Sequence, residues 1–83
     1  MTKMLKTTVV EQKLGRENAA GMAQKETRVI KIDPRLAPLD YLQTLCHEML
    51  HIEFPALSET KVQRIGQRFG KILWKQNYRK MVL

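Results

Sequence analysis

The first third of the chain shows short stretches in which polar and apolar residues alternate, a pattern typical of β-strands. The clearest is Thr27–Ile32 (TRVIKI), and Thr7–Lys13 (TTVVEQK) places two valines after a threonine pair. Gly21–Gln24 is shorter and, with a turn at residues 25–26, would form a hairpin with Thr27–Ile32. The Asp33-Pro34 pair should end this strand, because proline offers no N–H for strand pairing. Residues 14–20, with Gly15 and Asn18, are predicted to form a loop.

The second half of the chain changes to a helical period. Pro38 suits a first helical position, and apolar residues at helical spacing follow: Leu42, Leu45, Cys46 and Met49. This helix, 38–53, should end before Phe54, since Phe54 precedes Pro55. Ser58 is a suitable N-cap for a second helix over 59–79, in which Gly66 and Gly70 would permit another element to pack closely. The sequence therefore predicts an α+β fold, with a small antiparallel sheet of two or three strands followed by two packed helices.

Length and composition set the scale of the fold. The 83 residues (9.7 kDa) form a single domain over 1–83, and 43% hydrophobic with 28% charged residues is typical of a globular chain. No apolar run approaches the roughly 20 residues of a membrane span, and the start lacks a signal-peptide core, so a cytoplasmic location is expected. The single cysteine, Cys46, excludes an internal disulfide.

The charge is concentrated near the C-terminus. The formal net charge is +7, and residues 61–80 contain no acidic residue. Five of their basic residues form what we call the basic stripe: Lys61, Arg64, Arg68, Lys71 and Lys75. Such a surface can bind nucleic acid or an acidic protein partner, although a solvated helix face has the same composition.

Residues 47–51 read His-Glu-Met-Leu-His, an H-E-x-x-H motif inside the first predicted helix. His47 and His51 are four residues apart, so they share one helix face and can bind the same metal ion. Glu48 lies beside them, where it could accept a proton from a metal-activated water. The motif contains both histidines of the chain, and it favours Zn²⁺.

A catalytic zinc site needs a third protein ligand. Glu53 lies about 200° around the helix from His51, and Cys46 lies about 100° from His47 within the apolar stripe. Glu59 is in line with Val62 and Gly66 on the face expected to turn inward. It is therefore the preferred third ligand, although a glutamate after Ser58 also stabilises a helix N-terminus.

Residues 44–62 (TLCHEMLHIEFPALSETKV), with the preceding VIKID and the turn at 34–38, resemble the small zinc metallopeptidase-like proteins of phages and prophages. These are of the gluzincin type, in which a downstream glutamate completes H-E-x-x-H. The resemblance covers residues 28–73 and implies His47, His51 and Glu59 as zinc ligands and Glu48 as general base. It implies a peptide or protein substrate, which could pair with Thr27–Ile32 if that strand forms a sheet edge.

Three functions are compatible with these residues. The first is a minimal zinc-dependent peptidase that cleaves amide bonds with an activated water. The second is a non-catalytic, metal-stabilised binding protein whose basic helix engages nucleic acid or a protein partner. The third is a small structural protein in which the motif is accidental.

Overall fold

A computed structural model describes residues 5–15 and 20–81 of the chain. It contains three strands, β1 (Thr8–Glu11), β2 (Gly21–Gln24) and β3 (Val29–Ile32), and then two helices, α1 (Pro38–Glu53) and α2 (Glu59–Lys75). The predicted α+β plan, with the sheet before two packed helices, is confirmed. Much of the loop predicted over 14–20 lies outside the described residues.

The sheet is mixed, whereas the sequence suggested antiparallel pairing throughout. The strand order is β1-β3-β2, with β2 antiparallel and β1 parallel to β3. The chain makes the β2–β3 hairpin through residues 25–28, and Arg28 adopts a positive φ of 53° at its end. Because β3 is the central strand, the expectation that it forms a sheet edge is wrong, and β1 and β2 are the outer strands of the sheet in the described part of the chain.

The core lies between the sheet and α1. Ile30 and Ile32 are fully buried on one face of β3 and pack with Tyr41 and Ile52 of α1. This is the alternation predicted for the TRVIKI segment, with its two isoleucines facing inward. The sheet thereby fixes the rotation of α1, on which the H-E-x-x-H motif lies.

Asp33 forms hydrogen bonds with several segments at the end of the sheet. Its carboxylate accepts hydrogen bonds from the Leu14 N–H (3.1 Å) and the Arg35 N–H (2.9 Å), and it forms an ion pair with the Arg35 guanidinium. The Asp33 N–H donates to the Ala20 carbonyl at 2.9 Å. These bonds join the segment after β1, the start of β2 and the end of β3 at one residue.

Helix α2 ends at Lys75, four residues before the predicted end. Asn77 takes a left-handed conformation (φ 66°), the Tyr78 N–H donates to the Leu73 carbonyl, and the Asn77 N–H donates to the Trp74 carbonyl. This pair of bonds is the Schellman arrangement, in which asparagine is the usual substitute for glycine. Across the described ranges, neither helix is long and apolar enough to span a membrane.

Candidate metal centre

The two helices bring His47, His51 and Glu59 into direct contact. The Nε2 atom of His47 lies 2.8 Å from one oxygen of the Glu59 carboxylate, and the Nε2 atom of His51 lies 2.8 Å from the other. The two Nε2 atoms are 3.2 Å apart. Each residue offers one ligand atom, and these atoms lie within 4.8 Å of one another, so the group could hold a metal ion.

The donor set suits a small divalent ion. Two imidazole nitrogens and one carboxylate oxygen are common zinc ligands, with metal–ligand bonds of about 2.0–2.2 Å. At tetrahedral angles such bonds place ligand atoms about 3.3 Å apart. The 3.2 Å between the two Nε2 atoms is close to that value. With one Glu59 oxygen as the third ligand, the three ligand atoms lie within 4.8 Å of one another, so side-chain movements would bring them to bonding positions.

The position of Glu59 follows from the turn between the helices. The Phe54 N–H donates to the Leu50 carbonyl at the end of α1, and Leu57 N–H donates to the Phe54 carbonyl. Ser58 then caps α2, its hydroxyl accepting a hydrogen bond from the Lys61 N–H at 3.3 Å. As the first residue of α2, Glu59 is turned toward α1 and the histidines, as the sequence predicted.

A glycine fixes how closely α2 approaches the histidines. A Cβ atom on Gly66 would lie 3.1 Å from the Cα and 3.2 Å from the N of His47. One turn later, a Cβ on Gly70 would lie 3.1 Å from the Cα of Gln43. These two glycines let the α2 backbone rest on α1, as the sequence suggested, and this close packing keeps Glu59 in register with the two imidazoles.

Glu48 is the buried carboxylate of the site. The residue is only 7% exposed and lines the same cleft as His47 and Glu59. Burial, together with repulsion from the Glu59 carboxylate, raises the pKa of Glu48 to about 7. The first residue of β2 packs directly on it, since a Cβ on Gly21 would lie 3.3 Å from the Glu48 Cγ. The motif glutamate thus lies between the sheet and the ligand group.

The cleft beside these residues has a volume of about 630 Å³ and lies between β2, α1 and α2. Its walls include three side-chain amides that the sequence analysis did not single out, those of Gln43, Gln63 and Gln67. Helical spacing could have found them. Gln43 precedes His47 by four residues, and Gln63 and Gln67 follow Glu59 by four and eight, so each shares a face with a candidate ligand.

The two other candidates for a third ligand lie elsewhere. Glu53 forms an ion pair with Arg28 of the β2–β3 turn. Cys46 is buried, and burial raises the pKa of its thiol. Neither belongs to the ligand group. The structure therefore brings Glu59, and neither of these two residues, together with the histidines.

The basic stripe lies on the opposite side of α2 from the site. All five of its side chains are exposed, whereas Val62, Gly66 and Gly70 are the buried residues of this helix. Among the residues that the structure describes, none of the five forms an ion pair. The stripe is therefore free to attract an acidic molecule, but it does not line the cleft.

Comparison with known proteins leaves the class of the protein open. The sequence matches no protein-family model, and no curated protein is significantly similar to it.

Proposed function

We propose that this chain is a zinc-dependent peptidase that uses a minimal site of two histidines and two glutamates. The observation that carries the proposal is the contact of Glu59 with both Nε2 atoms, at 2.8 Å each, beside the buried Glu48. Two of the candidate ligands, His47 and Glu59, line one cleft with Glu48, the candidate proton acceptor, as hydrolysis by an activated water requires. The resemblance of residues 28–73 to phage gluzincin-like proteins agrees with this assignment.

Each site residue has a separate role in the proposal. His47, His51 and Glu59 would hold the ion. A bound zinc ion supplies a Lewis acid that polarises a carbonyl and makes water a nucleophile at neutral pH. Glu48 would accept the proton of the attacking water and return it to the leaving amine. The amides of Gln63 and Gln67 line the same cleft and can donate hydrogen bonds to a carbonyl oxygen that gains negative charge.

The sheet edge beside the site offers a way to bind an extended substrate. Among the residues that the structure describes, strand β2 pairs only with β3, and its first residue, Gly21, lines the cleft. An extended peptide can add to such an edge through backbone hydrogen bonds. We infer that β2, rather than β3, would receive the substrate backbone, which would then pass close to Glu48.

The first experiment is the metal content of the protein, purified without chelator and offered zinc, for the wild type and two variants. Glu59→Ala removes a proposed ligand. Its zinc affinity should fall by more than the roughly 10- to 100-fold loss that is typical when a residue hydrogen-bonded to a metal ligand is removed. Glu26→Ala removes an exposed carboxylate in the β2–β3 turn and should keep about one zinc per chain, the stoichiometry expected of the wild type.

Cleavage is then measured with a synthetic peptide library read by mass spectrometry. Zinc-dependent cleavage by the wild type, absent in Glu59→Ala, would support the peptidase. Stoichiometric zinc without cleavage of any peptide would instead favour the non-catalytic, metal-stabilised binding protein. Failure of the wild type to retain zinc would contradict both.

A further inference from the structure

A second concave surface lies on the other side of the helix pair, and we call it the apolar groove. It has a volume of about 740 Å³ and runs between α1 and α2. Its lining is apolar apart from Glu53 and includes Leu42 and Met49 of α1 and Phe69 and Ile72 of α2. Met49 is two residues from both His47 and His51, about 200° around α1, so the groove faces away from the candidate metal centre.

Large apolar side chains stand open to solvent in this groove. Met49 is 47% exposed, Phe69 48% and Ile72 58%, and none of them belongs to the buried core. Exposed apolar residues gathered on one surface of a small protein mark a binding surface more often than chance scatter. The one acidic residue in the lining of the groove, Glu53, forms an ion pair with Arg28.

The basic stripe borders the groove along α2. Ile72 follows Arg68 by four residues and precedes Lys75 by three, so both cations are its neighbours on the helix surface. Both are exposed, and neither is ion-paired with a described residue. A molecule bound in the groove would therefore contact apolar side chains at its centre and the positive charges of Arg68 and Lys75 along one border.

We propose that the apolar groove binds an amphipathic helix of an acidic partner protein. A helix about three turns long would match the stretch from Leu42 to Glu53, about 16 Å along α1. Its apolar face, with anchors at positions i, i+3 and i+7, would enter the groove, and glutamates or aspartates on one flank would face Arg68 and Lys75.

Three other occupants agree less well with these observations. Nucleic acid would use the cations but leave the apolar side chains exposed. A lipid surface favours a convex apolar face, whereas these residues line a concavity. A second copy of this chain would bring together two molecules of net charge +7.

The test uses a defined peptide and the full chain. The peptide is three turns long, constrained as a helix by a side-chain lactam, with leucines at i, i+3 and i+7 and glutamates on one flank. Binding of the fluorescently labelled peptide is measured by anisotropy at low salt. A second peptide carries lysine in place of every glutamate, and we expect only the acidic peptide to bind.

Variants separate the apolar contribution from the charge contribution. The double variant Met49→Gln/Ile72→Gln should weaken binding by at least about tenfold, because both side chains would be buried by the peptide. Arg68→Gln/Lys75→Gln should weaken it by roughly threefold to tenfold. The matched control is Lys6→Gln/Lys13→Gln, which removes the same charge on either side of β1, a strand that packs on neither helix. It should leave affinity within about twofold.

Four outcomes would overturn the proposal, provided that circular dichroism shows each variant folded. One is no binding of the acidic peptide at high micromolar protein, and another is equal binding of the lysine peptide. A third is a wild-type dimer that Met49→Gln/Ile72→Gln converts to a monomer, which would assign the groove to a second copy. The last is binding to anionic vesicles or duplex DNA that the same variant abolishes, without peptide binding.

Discussion

At the scale of single residues, the two carboxylates of the candidate site differ in environment, and this difference matches the separate roles proposed for them. Glu59 contacts two imidazoles and is largely open to solvent, whereas Glu48 is buried beside them with a raised pKa. The first environment suits a metal ligand, because a carboxylate in contact with both donors can share an ion with them. The second suits a group that must gain and lose a proton near neutral pH.

Glu48→Gln therefore separates metal binding from catalysis. Glutamine has nearly the same size and fills the same space, so the variant should fold and retain zinc as the wild type does. It cannot accept a proton, and we expect cleavage of a peptide substrate to fall by about 10²- to 10⁴-fold. The measurement is kcat/KM beside zinc content. Full activity in a zinc-loaded Glu48→Gln protein would contradict the role given to this residue.

Asp33 should make the stability of the fold depend on pH. Its carboxylate is buried among hydrogen bonds, and those from the Arg35 side chain and backbone hold its pKa well below its usual range. A lowered folded-state pKa stabilises the fold above the unfolded value, about 3.9, and this stabilisation is lost as the pH falls below it.

Asp33→Asn tests this dependence. Its free energy of unfolding should be below that of the wild type at pH 7, and the difference should shrink on acidification below about pH 4. Urea unfolding across pH 2 to 7 measures it. A constant difference over this range would show that the Asp33 charge contributes nothing to stability.

At the scale of elements, the contact between α1 and α2 determines the site. Gly66 lies over the backbone of His47, where a side chain would collide with main-chain atoms that cannot rotate away. The separation of the two helices sets the distance from Glu59 to both imidazoles. A change at Gly66 should therefore affect metal affinity even though glycine has no side chain to bind the ion.

Gly66→Ala is expected to lower both the melting temperature and the zinc affinity. Alanine favours the helix by about 1 kcal/mol, but overpacking against a fixed neighbour costs about 1–3 kcal/mol, so the net change should be destabilising. Gly15→Ala is the control, since a Cβ there meets nothing within 4 Å. Thermal unfolding and a zinc titration measure the two effects. A Gly66→Ala protein as stable as Gly15→Ala, with wild-type affinity, would contradict the packing argument.

The elements differ in how far the sequence predicts them. The starts of the two helices follow from Pro38 and from the Ser58 cap, and the approach of Glu59 to the histidines follows from the turn at Pro55 and the helical period of 3.6 residues. The parallel pairing of β1 does not, because all four of its residues are exposed and no buried face selects its neighbour. The amides of the cleft were not predicted either, because helical spacing places Gln43, Gln63 and Gln67 on the faces of candidate ligands but does not show that a cleft forms beside them.

At the scale of the whole molecule, the core is small. Eight apolar residues are buried among those described, and the second helix is held mainly through α1. Domains of this size often depend on a metal, and an ion shared by α1 and the first turn of α2 would join the two helices. Metal binding should therefore be visible in global stability as well as in activity.

Zinc removal is expected to lower the melting temperature of the wild type. Free zinc at about 100 times its Kd adds about 2.7 kcal/mol to the unfolding free energy of a protein that binds it only when folded. For a chain of this length that corresponds to roughly 10–20 °C. Scanning calorimetry with zinc or with chelator measures the shift, and Glu59→Ala should show little of it. Identical wild-type transitions in the two conditions would exclude a stabilising metal.

The three candidate ligands all lie between residues 47 and 59, and this short separation affects how the protein folds. Bringing together two ends of a short segment such as residues 47–59 loses little chain entropy. The helices on either side of the turn form in microseconds or less. An ion bound there would therefore be able to hold the helical hairpin together before β1 finds its parallel partner, the more non-local of the two strand pairings among the described residues. If the chain binds a metal while it folds, folding would then start at the candidate site and end at the sheet.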